Sequence, residues 1–500
     1  MPPQRQSSFK ENTKQQSPGT ALTEMILKPK RRSGRATKIT GTAGRSLRGQ
    51  KDSSAPNIPP TQRLDVYVFG TNCYGELGIA ATCSQPEIKR GKCWSCPYRC
   101  WRGTFGGSTH DNQILTWGVN DEGALGRDTG QDKDEDAGDG RGKSLSGDES
   151  DEDEVTYNLK EATPLPVDPS HFPRDTVFSQ LAASDSATFA LLTDGRVYGW
   201  GTFRTSKGGI GFSPESKKEQ RTPLLIPGVH DVVKIVTGAQ HVLALTSKGT
   251  VFSWGCDEQN QLGRRRTSRH HKSHPLVPEL CALPTEIQDI GVGLYHSFAI
   301  CKKGHIYAWG SNNFGQTGVT MSAGQNDAIV SYPAKVPCFQ KHTSLVSIFG
   351  EKDHSKAITE LGECLVWGRI DNMALGLALK DMPQSDIIYD TYGRPRILKQ
   401  PNLLTGVGDK IVSGTVGTDH SFVITESGKA YSRGFNSQSQ AGQPGLDEVE
   451  KPTLLHSKYL EGKNRFQQAP VVSSASCLAS IRQSEMLHAD EKFELSALGP

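Results

Sequence analysis

The chain has 500 residues, of which 53 are glycine, and only 35% of its residues are hydrophobic. Glycine at this frequency suits many short strands joined by tight turns and argues against a protein built from long helices. No window approaches 18 consecutive apolar residues and the first 30 positions lack an apolar run, so the sequence predicts neither a membrane-spanning helix nor a secretory signal. We therefore expect an all-β, intracellular protein.

The placement of the cysteines also favours an intracellular protein. Most of the 11 cysteines stand singly, several of them inside apolar strands, as Cys301 and Cys364 do. This placement is typical of buried thiols in a reducing environment and not of a disulfide framework.

The first 60 residues form a basic segment, with twelve Lys or Arg and three acidic residues. Within it, KPKRRSGRATK at 28–38 combines basic residues with Pro, Gly and Ser and shows no apolar periodicity, which predicts a disordered arm. Such a cluster is typical of a nuclear localisation signal and of contacts with DNA phosphates, with a merely solvated tail as the alternative. The residues assigned to this role are Lys28, Lys30, Arg31, Arg32, Arg35 and Lys38.

From residue 64 onward one phrase recurs, an apolar strand that ends in Trp-Gly and is followed by a polar turn closed by Leu-Gly. Clear copies are VFSWGCDEQNQLG at 251–263 and IYAWGSNNFGQTG at 306–318. The anchoring glycines lie 48 to 66 residues apart, with one gap of 83. A period of about 50 to 60 residues suits four-stranded units and is too long for helical repeats. The seven anchors are Gly70, Gly118, Gly201, Gly255, Gly310, Gly368 and Gly434.

A second phrase precedes most anchors. It begins Gly-x-x-His, continues as an apolar strand and ends in a two-residue turn with glycine second, as in Lys248-Gly249 and Ser427-Gly428. Glycine tolerates the positive φ that a tight hairpin requires, so the two phrases are predicted to be adjacent antiparallel strands. Seven such sheets arranged radially would form a seven-bladed β-propeller over residues 64–464. The aromatic residues would then pack between blades, and each histidine would satisfy a backbone group.

The combined pattern, Gly-x-x-His, then Leu-Thr-x-x-Gly-x-Val-Tyr-x-Trp-Gly, then Gly-x-Leu-Gly, resembles the repeat of the regulator of chromosome condensation family. WGVNDEGALGRDT at 117–129 and WGTFRTSKGGIG at 200–211 are similar to the second and third blades of its nuclear exchange factors. A WD-type propeller would instead show Gly-His starts, Trp-Asp ends and a period of about 40 to 45 residues. The resemblance covers about residues 64–445. It implies a monomeric, chromatin-associated guanine-nucleotide exchange factor for a Ran-like GTPase that needs no cofactor and performs no bond chemistry.

The resemblance places a wedge, which disturbs the loops that hold the nucleotide, directly after the third anchor. A glycine-rich protrusion replaces the Leu-Gly turn of the other repeats there, and this departure is visible without reference to the family. An ordinary long hairpin is the alternative. The residues concerned are Phe203, Arg204, Thr205, Ser206, Lys207, Gly208, Gly209 and Ile210.

Single GTPase contacts are also implied in other blades. Asp185 matches a functional acid of the third blade, and a buried or turn-capping role is its alternative. Gln240 and Asp353 match turn positions of the fourth and sixth blades, where the family carries Asp and His. Arg264 matches a basic contact and opens RRRTSRHHK, a loop basic enough to touch nucleic acid or an acidic protein surface. Cys73 replaces the acid of the first blade, so no contact is assigned there.

Two stretches depart from the repeat and are expected to be irregular. Residues 86–108, PEIKRGKCWSCPYRCWRGTFGGS, stand where the second blade should have its Gly-x-x-His strand. A shifted reading frame or retained intron, a structural excursion, and a zinc site built from this stretch are the alternatives. The zinc ligands would be Cys93, Cys96 and Cys100, with His110 nearby. Residues 465–500 contain no such phrase either, although ring closure requires a strand from the end of the chain.

The acidic stretch at 131–154 carries eleven acids and three bases, and predicts a disordered, solvated insertion over about 130–155. Histone binding, or competition for the basic arm, is its alternative role. For the whole chain, the alternative to an exchange factor is a propeller scaffold or chromatin-binding protein without exchange activity. An enzyme is a weaker option, because no carboxylate pair, Ser-His-Asp set or convincing metal cluster supports it.

Overall fold

The computed structural model describes residues 64–70, 85–94, 99–101, 104–109, 111–130, 158–216, 218–264, 274–341, 344–456, 466–467 and 475–481. Within these ranges the strands form seven antiparallel sheets of four or five strands and one separate two-stranded hairpin. The basic arm, the acidic insertion and the rest of the basic loop after Arg264 lie outside the described residues. No helix in the described ranges has the length and apolar character needed to cross a membrane.

The sheets follow one another along the chain. The first sheet contains β1 (Leu64–Gly70) and β2 (Gln85–Trp94). The second contains β3 (Arg99–Trp101), β4 (Thr104–Ser108), β5 (Ile114–Gly118) and β6 (Leu165–Pro166). The third contains β7 (Phe178–Ala183), β8 (Ala187–Leu192), β9 (Val197–Gly201) and, after a separate hairpin of β10 (Phe203–Thr205) and β11 (Gly208–Gly211), β12 (Gln220–Leu225).

The remaining sheets have the same plan. The fourth contains β13 (Val232–Thr237), β14 (His241–Thr246), β15 (Val251–Gly255) and β16 (Glu279–Leu280). The fifth contains β17 (Ile287–Val292), β18 (His296–Cys301), β19 (Ile306–Ser311) and β20 (Ile329–Lys335). The sixth contains β21 (Leu345–Gly350), β22 (His354–Thr359), β23 (Cys364–Arg369), β24 (Ile387–Tyr389) and β25 (Pro395–Leu403). The seventh contains β26 (Ile411–Val416), β27 (His420–Thr425), β28 (Ala430–Phe435) and β29 (Glu448–Leu454).

The chain end returns to the first sheet with β30 (Phe466–Gln467) and β31 (Ala475–Ile481). Helical structure is limited to short segments in the described ranges. They are α1 (Leu159–Ala162) and the 3-10 turns Pro169–His171, Pro337–Lys341, Asp371–Met373, Leu379–Asp381 and Gln384–Asp386.

Neighbouring sheets pack face to face. All six residues of β14, the second strand of the fourth sheet, are buried. By contrast, β20 at the edge of the fifth sheet is partly exposed. The second strand is therefore covered on both faces. Phe189 of the third sheet meets Trp254 of the fourth edge-on, with ring centroids 5.8 Å apart. Such edge-on aromatic pairs contribute beyond the area they bury. The predicted packing of aromatic residues between blades is therefore confirmed at this junction.

The repeated glycines and histidines have identifiable structural roles. Gly201 has φ +100°, and a Cβ on it would lie 2.2 Å from the carbonyl oxygen of Ser186, so only glycine fits this close approach of two strands. His241 Nε2 lies 2.9 Å from the hydroxyl of Ser297 in the next sheet. The expectation that the histidines satisfy backbone groups is corrected here, because the partner is a side chain and the bond joins two sheets. The predicted buried thiols are confirmed at Cys301 and Cys364.

Parts of both stretches that were expected to be irregular, 86–108 and 465–500, form strands in the described residues. Most of the first stretch lies in β2, β3 and β4, and β4 pairs with β5 so that Thr104 faces Gly118, as His241 faces Gly255. In the second stretch β31 pairs with β1 from Leu64 to Gly70, which supplies the closing strand. Sheet pairing is made by the backbone, so it does not require the repeat's side-chain phrase.

Candidate functional site

Turns from five consecutive sheets, the second to the sixth, surround a cavity of about 730 Å³. Some are the turns that precede the second strand of a sheet, and others follow the anchor glycines. The sequence-predicted residues that the structure brings together in its lining are Asp185, Arg204, Thr205, Ser206, Gln240 and Asp353. The arrangement of the sheets thus brings residues that are distant in sequence together around one cavity.

The hairpin of β10 and β11 has an anchored base and an exposed tip. Phe203 is fully buried with Phe189, Phe212 and Trp254, and Ile210 packs against the same cluster. Both side chains hold the hairpin to the core, Phe203 fully buried and Ile210 partly, and their contact with a partner stays a prediction.

The hairpin tip points away from the core. Ser206 and Lys207 are exposed, and Cβ atoms added to Gly208 and Gly209 would meet nothing within 4 Å. The tip is therefore the part of the hairpin that a partner can reach.

The hairpin is held in place from both sides. Ser206 donates two hydrogen bonds to the Glu258 carboxylate of the fourth sheet, from its backbone N at 2.8 Å and its Oγ at 2.7 Å. The Arg204 backbone N donates to Gln240 Oε1 at 2.7 Å, and the Arg204 guanidinium pairs with Glu122 after the second sheet. These contacts fix the hairpin before any partner binds.

Asp185 and Asp353 occupy different environments. Asp185 is half-buried, and its backbone N donates to the Ala239 carbonyl of the next sheet at 3.0 Å. Asp353 is buried and lies 3.6 Å from the guanidinium of Arg369, which also reaches Asp419 at 3.8 Å. Burial raises the pKa of Asp353, partly opposed by nearby basic groups. Asp185 is the more available of the two to a partner.

Arg264 lies outside the cavity lining and acts on its own sheet. Its guanidinium donates to the backbone carbonyls of Ser253 and Val277. Arg127, after the equivalent Leu-Gly of the second sheet, donates in the same way to the carbonyl of Thr116. Burial lowers the pKa of both guanidinium groups. Arg264 thus stabilises its own sheet, and the GTPase contact at this partly exposed residue stays a prediction.

Glu351 is a buried carboxyl near the cavity that the sequence patterns did not single out. It stands where the other Gly-x-x-His phrases have glycine or serine. Its carboxyl accepts a hydrogen bond from Thr418 Oγ1 at 3.2 Å, which joins the sixth and seventh sheets. Burial raises the pKa of Glu351 well above its usual value, and the neighbouring Asp185, Asp353 and Asp419 add to this effect.

Replacing Glu351 with Gln should stabilise the protein increasingly as pH rises above the ordinary glutamate pKa of 4.5. The folded state keeps a proton on Glu351 that the unfolded chain releases above this pH, so the parent loses stability as pH rises toward the raised folded-state pKa. Glutamine stays neutral throughout.

Melting temperatures of the parent and of Glu351→Gln, measured across this pH range, check the expectation. Glu426→Gln is the control, because Glu426 is exposed on the seventh sheet. A difference between Glu351→Gln and the parent that does not change with pH would contradict a buried, neutral carboxyl.

The cavity lining is predominantly acidic. Its acidic residues are Asp121, Glu122, Asp185, Glu258, Asp327 and Asp353, against Arg204 and Lys352. Sequence reasoning missed most of these because they are brought together only when separate turns meet. The available signal was the acidic character of the turns in WGVNDEGALG and WGCDEQNQLG.

The described residues hold no group of three or more His, Cys, Asp or Glu that could bind a metal ion. The side chains of the zinc alternative, Cys93, Cys96, Cys100 and His110, lie outside the described residues. That alternative remains a sequence hypothesis.

Comparisons with known proteins agree with the fold and the repeat. The model of the RCC1-like domain family matches residues 65–477. Protein pim1 of Schizosaccharomyces pombe is 34% identical over 80% of this chain and 72% of its own length. The guanine nucleotide exchange factor SRM1 of Saccharomyces cerevisiae is 31% identical over 86% of this chain and 90% of its own length.

Solved structures give the same result. The crystal structure of Prp20p from Saccharomyces cerevisiae, described with its binding to Gsp1p and histones, is 28% identical with a TM-score of 0.73, over 88% of this chain and 96% of that chain. Yeast RCC1 (Prp20) bound to Kap60 has a TM-score of 0.74 at 27% identity, over 93% of this chain and 100% of that chain. These likenesses confirm the predicted all-β propeller class, and the chain belongs to the regulator of chromosome condensation family, characterised by the RCC1-like domain.

Proposed function

We propose that this chain is a guanine-nucleotide exchange factor for a Ran-like small GTPase. The observation that supports this most directly is the β10–β11 hairpin, whose anchored base and exposed tip stand at the edge of an acid-lined cavity. The relative SRM1 is named a guanine nucleotide exchange factor, and the Prp20p structure is described with Gsp1p binding. The activity is non-covalent, so no residue is assigned a catalytic role in bond chemistry.

The mechanism follows from linkage between two ligands of the GTPase. A protein that binds the nucleotide-free GTPase more tightly than the nucleotide-bound form must weaken nucleotide binding by the same free energy. A release accelerated by about 10⁴-fold corresponds to about 5.5 kcal/mol of differential binding, so several contacts must share it. We assign them to the hairpin tip, Arg204, Asp185 and Gln240. Because Glu258 and Gln240 already fix the hairpin, little ordering entropy is lost when the partner binds.

The charge of the cavity indicates the surface that it receives. Six acidic and two basic side chains line it, which favours a partner that presents Lys and Arg. Charge complementarity of this kind speeds encounter and excludes wrongly charged partners more than it raises affinity. The association rate should therefore fall as salt is added.

The basic arm gives the proposed location. We infer that residues 28–38, with Lys28, Lys30, Arg31, Arg32, Arg35 and Lys38, direct the chain to the nucleus and contact DNA phosphates. The Prp20p structure is described with histone binding, which supports chromatin as a partner of this family. Exchange activity at chromatin would place GTP-loaded GTPase near chromosomes.

Replacing Asp185 with Asn should lower the exchange rate by about 10-fold, because one charged contact at the cavity is worth roughly 1 to 2 kcal/mol. The measurement is release of fluorescent GDP from purified Ran. Asp194→Asn is the matched control, since Asp194 lies in the exposed β8–β9 turn at the other end of the third sheet. Equal rates for parent and Asp185→Asn, or loss of folding in that variant, would contradict the functional assignment.

The same assay separates exchange from a scaffold role. If the parent chain fails to accelerate GDP release while it still binds chromatin, the chain is a chromatin-binding propeller. Acceleration by the parent supports the exchange factor.

A further inference from the structure

At the junctions between the third and fourth sheets and between the fifth and sixth sheets, an aromatic pair occupies the same two positions. One partner lies two residues after the start of the second strand, and the other directly precedes the anchor glycine of the next sheet. Phe189 with Trp254 and Phe298 with Trp367 are such pairs, edge-on with ring centroids 5.8 Å and 6.1 Å apart. These pairs are apolar and uncharged.

At the junction of the sixth and seventh sheets the two positions hold Lys356 and Arg433 instead. Lys356 has no exposed surface and Arg433 is 1% exposed. Arg433 packs in the place of the tryptophan, because a Cβ on Gly376 would meet its guanidinium just as a Cβ on Gly263 would meet the Trp309 ring. Two basic side chains thus stand at this junction in place of an aromatic pair.

Nitrogen atoms at this junction lack hydrogen-bond partners among the described residues. They are Lys356 Nζ, both Nη atoms of Arg433 and His354 Nε2. Arg433 Nε donates to Ser421 Oγ at 2.9 Å, the kind of hydroxyl that elsewhere pairs with the histidine of the preceding sheet, as Ser355 does with His296. The sixth and seventh sheets therefore both place nitrogen atoms that lack an acceptor at their buried junction.

The positive charge at this junction is not balanced by the surrounding protein. Burial lowers the pKa of Lys356 well below its ordinary value, Arg433 lowers it further, and only Cys364 acts to raise it. Burial raises the pKa of the Cys364 thiol, so it stays neutral at physiological pH and cannot serve as the counter-ion. An unpaired buried cation is costly, and arginine keeps its charge.

Lys and Arg side chains together are smaller than the Phe and Trp that fill two of the equivalent junctions. A single water or small ion needs only about 30 Å³. Water would satisfy hydrogen bonds but leave the positive charge of Arg433 unbalanced, whereas a monovalent anion does both.

We propose that Lys356 and Arg433 bind one small monovalent anion of the halide class between the sixth and seventh sheets. The anion accepts hydrogen bonds from both side chains and links the two sheets, which is the task of the aromatic pair elsewhere. Cys364 and Ser421 complete its surroundings. The site is separate from the acid-lined cavity and does not depend on the proposed exchange activity.

Thermal unfolding of the full chain tests the site. Melting temperatures are compared in sodium chloride or bromide and in sodium gluconate at equal ionic strength, since gluconate is too large for the junction. We expect a melting temperature at least about 2 °C higher in the halides, rising with concentration until the site saturates. The double variant Lys356→Phe with Arg433→Trp restores the aromatic pair and should lose the halide-specific increase.

A second measurement covers the case in which the double variant fails to fold. Crystals of the parent chain soaked in bromide should show an anomalous scattering peak between Lys356 Nζ and the Arg433 guanidinium. A halide effect of equal size in parent and double variant, with no peak at the junction, would identify an adventitious ion only. Absence of both the halide effect and the peak would mean that water or a neutral Lys356 resolves the charge, and would overturn the proposal.

Discussion

Exchange on a Ran-like GTPase is expected to fall by about 100-fold when residues 205–208 at the tip of the β10–β11 hairpin are replaced by Asn-Gly. Arg204 and Gly209 are paired in the hairpin, so they can be closed by this favoured two-residue turn. The change shortens the hairpin by one residue pair, about 3.3 Å. Central contacts of an interface are worth roughly 2 to 4 kcal/mol, which is a loss of about 30- to 1000-fold.

The fold should tolerate this change. The buried base, Phe203, is retained, and the Gly208 Cβ position meets nothing within 4 Å. The hydrogen bonds lost to the rest of the protein are those of Ser206 with the Glu258 carboxylate, and both residues are at the surface. The other bonds lost lie within the tip, from Thr205 Oγ1 to Gly208 O and from Lys207 N to Thr205 Oγ1. The melting temperature should therefore fall by only a few degrees at most.

The measurement is release of fluorescent GDP from purified Ran at equal concentrations of parent and variant. The control is an Asn-Gly replacement of residues 391–393, which removes one residue from the exposed tip of the β24–β25 hairpin, where Tyr392 is 82% exposed. That control should keep the parental rate. Equal loss in both variants would mean that the reduction is a general effect of shortening hairpins, and full activity of the first variant would remove the hairpin from the mechanism.

The sequence predicted the location of this hairpin but not which of its side chains face the core and which face outward. Its glycine-rich departure from the Leu-Gly turn was visible because other repeats share that turn. The orientation of each side chain depends on strand alternation and on a neighbouring sheet, so Phe203 and Ile210 face the core while Arg204 and Lys207 face outward. A resemblance that assigns a whole run of residues cannot make this distinction.

Contacts between sheets were the least predictable feature. Glu351 with Thr418, and Lys356 with Arg433, are departures from the repeat that can be seen in the sequence. Only the packing of the sixth sheet on the seventh brings their positions together. The partners of Arg264 were not predicted either, although they are backbone carbonyls of its own sheet.

Strand pairing at the ends of the chain was difficult to predict for a different reason. Backbone hydrogen bonds accept many side-chain sequences, so β4 and β31 form without the Gly-x-x-His phrase. The repeat pattern indicated that a closing strand is needed, but it did not indicate which residues form that strand.

Removing residues 475–500 should abolish the cooperative unfolding of the chain. β31 pairs with β1 along its whole length, from Leu64 with Ile481 to Gly70 with Ala475. Without it, β1 and β2 would remain as a two-stranded unit, which is marginal in water, and one edge of β1 would be unpaired. Each backbone hydrogen bond contributes about 1 kcal/mol, and a whole domain has about 5 to 15 kcal/mol, so this loss is a large fraction of the total.

Calorimetry and limited proteolysis of the truncated chain check this expectation. A chain that lacks only residues 482–500 is the control and should melt as the parent does, since β31 is intact. If the longer truncation unfolds cooperatively at the parental temperature, the ring does not depend on this strand for closure. If both truncations lose cooperativity, residues beyond Ile481 contribute to the first sheet as well, and closure involves more of the chain end than the pairing of β31 with β1.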